Sequence, residues 1–267
     1  MTRIIVAGAT GRMGSRIVAL SMDYPGLQLA GGFERKGHAS AGKDIGLMSG
    51  CGECNILLVD NLEEIIDSGD VIIDFTMPES TLNNIQLAAS KKKSMIIGTT
   101  GLSQQQIDTI GKYASEVPVV LAPNMSVGVN LIFKVLKDVA RVLGDDYDIE
   151  IIEAHHRLKK DAPSGTALKM AQVIAETVDR NLDEVAVYAR KGIIGERTKK
   201  EIGIQTVRAG DIVGDHTVLF GGLGERIEIT HKASSRDTFA RGALRAALWL
   251  ADQKPGLYDM QDVLGLK

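Results

Sequence analysis

The residue types best suited to chemistry are concentrated in one short stretch of the sequence, residues 153–167. Two imidazoles, His155 and His156, and three cationic side chains fall within six positions of a chain whose formal net charge is −3. An imidazole can donate a proton near neutral pH, and clustered cations bind carboxylates or phosphates. The stretch therefore predicts a site that binds a small anionic molecule and protonates it.

A predicted helix start lies directly after this cluster and strengthens the prediction. Ser164 is a suitable N-cap for a helix that begins at Gly165, and a helix N-terminus attracts anions through its backbone amides. A solvated charged face is an alternative, although such faces seldom end at a capped helix. A metal site is a further alternative, but no third ligand lies nearby in the sequence. A nucleic-acid site is another, but no aromatic residues lie between the cations. We therefore favour a small anionic ligand and expect no metal.

A second candidate site is the glycine-rich segment Gly8–Gly14, which reads Gly-Ala-Thr-Gly-Arg-Met-Gly. It lies between the first predicted strand and the first predicted helix, where dinucleotide-binding folds place their phosphate loop. Its spacing, G-x-x-G-x-x-G, departs from the commoner G-x-G-x-x-G, and a structural glycine turn is the alternative. Glu34 supports the binding role, because an acid about twenty positions further on, after the second strand, can bind the adenosine ribose.

The residue after this acid, Arg35, bears on the choice of cofactor. Glu34 favours the free ribose diol of NADH, whereas a guanidinium at the next position can hold the 2′-phosphate of NADPH. A solvated charge pair at the start of a loop is the alternative for Arg35. With both residues present, we expect the protein to accept either NADH or NADPH.

Further segments follow predicted strands at one edge of the sheet, where open α/β folds bind ligands. They are Gly98-Thr99-Thr100-Gly101, Ala122-Pro123-Asn124-Met125 and Asp74-Phe75-Thr76. Their small and hydroxylated residues suit backbone contacts around a nicotinamide, although each segment alone could be a turn. Their shared placement predicts that they lie beside the cofactor.

The first half of the chain alternates strand and helix signals. Short apolar runs predict buried parallel strands at Ile4–Ala7, Leu27–Phe33, Asn55–Val59, Val71–Phe75, Met95–Ile97 and Val119–Ala122. Helix signals separate them, among them a helix after Pro78 and capping boxes that begin at Asn61 and Ser103. The alternation predicts an α/β domain with a doubly wound parallel sheet and helices on both faces.

The second half has a different pattern, in which strands follow strands. The predicted elements are helices Asn130–Leu143, Gly165–Val178 and Arg236–Ala251 and strands Tyr147–Ala154, Val185–Ala189, Ile202–Arg208, Thr217–Phe220 and Arg226–Thr230. Such a succession indicates an open mixed sheet in an α+β domain. We expect a dinucleotide-binding domain formed by residues 1–126 and 236–267, and a second domain formed by residues 127–235.

Composition narrows the classes of protein that remain. Hydrophobic residues make up 44% and charged residues 24% of 267 residues, and 31 basic side chains nearly balance 34 acidic ones. Because the charges nearly balance, we expect no nucleic-acid partner. We also expect no membrane partner, since no apolar run approaches the ~18 residues of a membrane span. The N-terminus leads straight into a strand with no signal peptide, and there are only two cysteines, Cys51 and Cys54. These features predict a cytoplasmic protein with two reduced surface thiols.

Together these segments resemble the dihydrodipicolinate reductase family over essentially the whole chain. The similar segments are residues 6–14, 74–76, 98–101, 124–130, 153–167, 207–214 and 231–236. The resemblance implies that His155 donates a proton and that Lys159 is a second catalytic group that also holds substrate. It further implies that His156, Gly165 and Thr166 bind a small dicarboxylate.

The resemblance also implies the cofactor contacts and the assembly. The implied cofactor contacts are Gly8, Ala9, Thr10, Gly11, Arg12, Met13, Glu34, Arg35, Gly98, Thr99, Thr100, Ala122, Pro123, Asn124 and Met125. Members of the family are homotetramers, which would make residues 127–235 a domain for substrate binding and oligomerisation. The loop between Cys51 and Cys54 is not part of the family pattern.

The implied reaction is the NAD(P)H-dependent reduction of 4-hydroxy-tetrahydrodipicolinate, with loss of water, in lysine biosynthesis. Hydride adds to a conjugated C=C–C=N system, and His155 quenches the negative charge that builds up there. Two alternatives remain from the residues themselves. One is a different NAD(P)-dependent dehydrogenase that acts on a small amino-acid derivative. The other is a non-catalytic NAD(P)-sensing regulator, although no helix-turn-helix or basic extension is left over for docking.

Overall fold

The computed structural model describes residues 1–267 and divides into two compact units. The first unit comprises Met1–Val127 and Arg236–Lys267, and the second comprises Gly128–Ser235. The second unit is thus inserted into the chain of the first. None of the helices is both long and apolar enough to span a membrane.

The first unit is built around a six-stranded sheet in which all paired strands are parallel. Its strands are β1 (Thr2–Ala7), β2 (Leu27–Phe33), β3 (Val71–Asp74), β4 (Ser94–Ile97), β5 (Pro118–Leu121) and, near the C-terminus, β11 (Gly256–Tyr258). Its helices are α1 (Gly14–Ser21), α2 (Ile45–Ser49), α3 (Pro78–Ser90), α4 (Gln104–Ala114), α8 (Asp237–Leu250) and α9 (Met260–Leu264). The strand order is β11-β5-β4-β3-β1-β2.

Both faces of this sheet are buried, as the apolar strand sequences require. Successive residues of a strand point to opposite faces, so Ile4 and Val6 enter one core while Ile5 and Ala7 enter the other. Helices α1 and α8 cover the first core, and α3 and α4 cover the second. The prediction of a doubly wound parallel sheet is confirmed.

The sixth strand is not the segment that the sequence predicts. Asn55–Val59 forms only isolated bridges, from Val59 to Phe33 and from Leu57 to Asp44. Asn55 adopts a left-handed conformation (φ 57°) and Leu57 is 59% exposed, so the segment does not stay extended and buries Leu58 but not Leu57. The sixth strand is instead β11, which pairs with β5.

The two capping boxes predicted in this unit have different outcomes. Ser103 and Gln106 form a reciprocal capping box at the start of α4, as predicted. Asn61 accepts a hydrogen bond from the Glu63 amide, but it opens only a short 3₁₀ turn, Leu62–Glu64. Cys51 and Cys54 are free thiols, and they are half-buried against the core rather than fully on the surface.

The second unit contains a five-stranded sheet. Its strands are β6 (Asp148–His155), β7 (Ala186–Val187), β8 (Ile202–Arg208), β9 (Gly214–Gly221) and β10 (Arg226–Ala233), and its helices are α5 (Val127–Leu143), α6 (Gly165–Thr177) and α7 (Leu182–Val185). The strand order is β10-β9-β6-β8-β7. Strand β8 runs parallel to β6 and β7, whereas β9 is antiparallel to β6 and β10. The predicted mixed sheet is confirmed, but the predicted strand Val185–Ala189 shrinks to two residues after a short helix.

Strand β6 leads directly into the predicted chemical cluster. Its alternate residues Ile149, Ile151, Glu153 and His155 are all buried, so these four side chains lie on the same face of the sheet. The two isoleucines pack against α5 and α6 in the core of this unit. Glu153 and His155 continue this face towards the end of the strand, where the buried surface becomes polar.

Candidate active site

The glycine-rich loop of the first unit has the geometry of a phosphate-binding turn. Gly8 follows β1 in the left-handed region (φ 61°), and its carbonyl accepts a hydrogen bond of 2.9 Å from the Gly11 amide. Helix α1 begins at Gly14 without a side-chain cap, so its first amides can serve an anion. A Cβ on Gly14 would lie 2.0 Å from the Gly8 carbonyl oxygen, so the loop backbone packs directly against the first residue of the helix.

Glu34 lies directly after β2 and is held against this loop. Its Oε1 accepts hydrogen bonds from the amide of Thr10 (3.0 Å) and from its hydroxyl (2.6 Å). Beside it opens a cleft of about 630 Å³ lined by Gly8, Glu34, Arg35 and residues of α3. Such a cleft, next to a phosphate loop and an acid, fits the adenosine half of a dinucleotide.

The other predicted cofactor residues lie at the carboxyl ends of β4 and β5, on the same edge of the sheet. The amide of Gly98 donates to the Asp74 carbonyl (2.8 Å), and the amide of Ala122 donates to the Ile97 carbonyl (3.0 Å). The fully buried carboxylate of Asp74 accepts hydrogen bonds from Thr76 (2.6 Å) and Asn84 (2.8 Å). The segments after three neighbouring strands are therefore joined in one hydrogen-bonded layer.

The tight loop leads to a first prediction, for Gly14→Ala. The added Cβ would overlap the Gly8 carbonyl, so the loop must shift, and we expect the Kd for NADH to rise at least about tenfold. Fluorescence titration with NADH measures this. Gly111→Ala is the matched control, because Gly111 is also helical and a Cβ there meets nothing within 4 Å. Equal affinity in the two variants would contradict a phosphate-binding role for the loop.

In the second unit, His155 is the last residue of β6 and is largely buried. Its Nδ1 lies 2.5 Å from Oε2 of Glu153, and its ring meets that of His216 edge to face with centroids 5.1 Å apart. Burial lowers the pKa of His155 below its ordinary value, and the hydrogen bond and charge of Glu153 partly offset this effect. The carboxylate of Glu153 thus favours the protonated form of a ring whose burial disfavours it.

Glu153 has no exposed surface, yet it remains ionised. Burial alone would raise its pKa, but hydrogen bonds from Arg208, His155 and the Ser164 amide lower the pKa to about 2. Arg208 donates to both carboxylate oxygens, at 2.8 and 2.9 Å. The carboxylate is thus a fixed negative charge at neutral pH, paired with a guanidinium.

The predicted helix start is confirmed at α6. The Ser164 hydroxyl accepts a hydrogen bond from the Ala167 amide (3.2 Å), and the first turn presents Gly165 and Thr166. The same hydroxyl is 2.9 Å from Nε2 of His216, whose pKa falls to about 3 because the ring is buried. His216 is therefore neutral at physiological pH.

The remaining predicted residues lie in the turn between β6 and α6. The His156 amide donates to the Ile212 carbonyl (2.7 Å), and the Lys159 amide donates to the His156 carbonyl (3.1 Å). The Nζ of Lys159 is 2.9 Å from a carboxylate oxygen of Asp161. All the residues predicted to bind substrate thus belong to the second unit, while those predicted to bind the cofactor belong to the first.

The sequence motifs predict His155 and the start of α6, but they do not predict the buried residues that connect the two. Glu153, Arg208 and His216 were not predicted as site residues, although Glu153 lies two positions before His155 and hence on the same strand face. Arg208 is the registered neighbour of His155 on β8. No group of three or more His, Cys, Asp or Glu side chains in residues 1–267 is arranged to hold a metal ion.

A parallel α/β sheet with a glycine loop after its first strand and an acid after its second is the architecture of a dinucleotide-binding domain. The chain belongs to the dihydrodipicolinate reductase family, whose N-terminal part matches residues 2–125 and whose C-terminal part matches residues 128–264. This finding confirms the resemblance seen in the sequence.

Individual relatives are similar over the full length. A 4-hydroxy-tetrahydrodipicolinate reductase from Syntrophus aciditrophicus (strain SB) is 60% identical and one from Geotalea daltonii is 55% identical, each over 100% of both chains. The structure of a dipicolinate-bound dihydrodipicolinate reductase from Paenisporosarcina sp. TG-14 is similar, with a TM-score of 0.75 and 26% identity over 98% of each chain. GenD2 of gentamicin A biosynthesis, in complex with NAD, shares the fold alone, at 13% identity and a TM-score of 0.61 over 99% of this chain and 90% of its own.

Proposed function

We propose that this enzyme reduces 4-hydroxy-tetrahydrodipicolinate to tetrahydrodipicolinate with NADH or NADPH and loss of water, in the diaminopimelate and lysine pathway. The observation that carries the proposal is the pairing of His155 with the buried carboxylate of Glu153, beside the N-terminus of α6. A proton donor next to an anion-binding helix start suits the reduction of a dicarboxylate. The family membership and the relatives' names support the same substrate.

The first unit supplies the residues that would hold the cofactor. The loop Gly8–Gly14 and the start of α1 offer amides to the pyrophosphate, and Glu34 offers a carboxylate to the ribose. The segments that begin at Gly98 and Ala122 lie at the same sheet edge and would line the nicotinamide half. When bound, the reduced cofactor supplies a hydride to the substrate.

The second unit supplies the residues that hold and protonate the substrate. The first turn of α6, with Gly165 and Thr166, binds one substrate carboxylate. The ammonium of Lys159 leaves its ion pair with Asp161 and binds a carboxylate of the substrate instead. His155 keeps Nδ1 on Glu153, so Nε2 is the nitrogen that delivers the proton to the developing negative charge. His156, in the turn after β6, completes the binding residues.

The direct test is an assay with the unstable substrate made in place. Aspartate semialdehyde and pyruvate are condensed by a synthase in the cuvette, and oxidation of NADH or NADPH is followed by absorbance. We expect rapid oxidation only when both precursors and the synthase are present. Oxidation that requires aspartate semialdehyde alone would support the rival dehydrogenase, and no oxidation of either cofactor would contradict the proposal.

Cofactor choice gives a second prediction, for Arg35→Ala. Both cofactors should support turnover of the wild-type enzyme within about an order of magnitude, because Glu34 and Arg35 favour opposite partners. Loss of the guanidinium should weaken NADPH binding about tenfold and leave NADH binding within about twofold. Titration with each cofactor measures this, with Arg245→Ala as a control that removes an exposed arginine outside the cleft. An equal effect on both cofactors would rule out contact with the 2′-phosphate.

We also propose a cytoplasmic homotetramer assembled through the sheet of the second unit. On the face of this sheet turned away from α5 and α6, Ile152 is 40% and Val207 is 43% exposed. A second copy would cover these apolar side chains. Sedimentation should show four chains per particle, and Ile152→Glu should lower that number; a wild-type monomer would contradict the proposed assembly.

A further inference from the structure

The buried carboxylate of Glu153 does more than neutralise the charge of Arg208, because it also contacts His155 and the start of α6. We infer that Glu153 is a positioning residue that holds His155 in the form protonated at Nδ1 and ties this proton donor to the first turn of α6. The inference rests on the proposed function, since it concerns the residue assigned there as the acid. Glu153 itself need not touch the substrate.

Five hydrogen bonds converge on this one carboxylate. Oε2 accepts from Nδ1 of His155 (2.5 Å) and from Arg208 (2.8 Å). Oε1 accepts from Arg208 (2.9 Å), the Ser164 amide (3.0 Å) and the Thr206 hydroxyl (3.3 Å). An ionised carboxylate can only accept hydrogen bonds, so Nδ1 of His155 must carry a hydrogen. The neutral ring is then unprotonated at Nε2, which becomes the nitrogen that takes up and releases the transferred proton.

The surroundings of the ring fit this orientation. On strand β9, a Cβ at Gly214 would lie 3.1 Å from Nε2 of His155, so the absence of a side chain there makes room for the ring. His216 packs edge to face on the ring and is neutral. Its Nε2 is committed to the Ser164 hydroxyl, which also caps α6.

Glu153 also opposes the other charges around the imidazole. Burial, Lys159 and Arg208 all lower the pKa of His155, whereas the hydrogen bond and charge of Glu153 raise it. The neutral ring of His216 adds no charge. Removing the carboxylate therefore lowers the pKa of His155 further. An acid with a lower pKa is deprotonated at a lower pH, so the enzyme would lose its proton donor earlier as the pH rises.

The test compares Glu153→Gln with Glu150→Gln in steady-state assays across pH. Glutamine keeps the shape but cannot be ionised, and we expect kcat to fall by roughly 10²–10⁴-fold, because His155 would lose the acid that fixes its protonated form and its orientation. The alkaline decline of kcat should begin at a lower pH than in the wild type. Glu150 lies on the same strand and pairs with Arg190 and Arg197 but contacts no histidine, so its variant should keep the wild-type pH profile.

The outcomes separate this inference from the proposed function. A Glu153→Gln enzyme with reduced kcat but an unshifted alkaline decline would overturn the inference, since a merely structural role predicts that result. If His155→Gln is inactive while Glu153→Gln behaves as the wild type, the inference alone fails. If His155→Gln remains active, the proposed acid itself is wrong.

A measurement on the wild-type enzyme keeps the inference testable if Glu153→Gln does not fold. Nitrogen-15 NMR distinguishes the two neutral forms of a histidine ring, and the spectrum of His155→Gln identifies the signals of His155 among five histidines. We expect the form protonated at Nδ1. Finding His155 protonated at Nε2 in its neutral form would overturn the inference.

Discussion

Replacing His155 with glutamine should lower kcat by roughly 10²–10⁴-fold while changing KM much less. Glutamine can fill the space and hydrogen-bond to Glu153, but it has no proton to give at neutral pH. We expect the loss in kcat rather than in KM, because proton donation in the transition state is the role proposed for this side chain. Steady-state kinetics with saturating cofactor measure both constants.

The control for this variant is His38→Gln, which removes an imidazole from the first unit. His38 Nδ1 accepts a hydrogen bond from the Ser40 amide, and His38 belongs to the first unit, whereas Glu153 and its hydrogen-bond partners belong to the second. Its variant should keep the wild-type kcat, and the Kd for NADH should be nearly unchanged in His155→Gln. A His155→Gln enzyme that retains most of its kcat would remove His155 from the mechanism and favour the solvated-face interpretation.

Much of the fold can be predicted because buried parallel strands leave a strong sequence signal. Leu27–Phe33 and Ile202–Arg208 are predicted with the bounds that the structure has, since both runs are framed by turn residues. The strand β11 could not be predicted in this way. It is three residues long, follows Pro255 and has no apolar run, so its place beside β5 depends on the packing of the C-terminal segment.

The candidate site could be predicted only as far as its local motifs extend. The cluster from His155 to Thr166 is continuous in sequence, so its imidazoles, cations and capped helix start are visible together. The partnership of Glu153 with Arg208 spans 55 residues and depends on the register between β6 and β8. A sequence pattern does not specify that register, and the buried charge pair at the centre of the site therefore emerged only from the structure.

Lys159 is held differently from His155, and this difference determines what its loss should do. Its side chain is one-fifth exposed, and its ammonium is paired with the more exposed carboxylate of Asp161. Because the Asp161 carboxylate is 61% exposed, water screens its attraction to Lys159, and a substrate carboxylate can displace it at little cost. The ammonium can then bind the substrate in the ground state and stabilise negative charge in the transition state.

We therefore expect Lys159→Ala to raise KM and lower kcat, with kcat/KM reduced by roughly 10²–10³-fold. Lys160→Ala is the matched control, because it removes the neighbouring, exposed cation from the same turn and should leave both constants within about twofold. Asp161→Asn releases Lys159 from its partner and should not raise KM. Steady-state kinetics on the three variants measure these effects. If Lys159→Ala behaves like Lys160→Ala, the ammonium neither holds the dicarboxylate nor takes part in its reduction, and the cationic turn is a solvated surface.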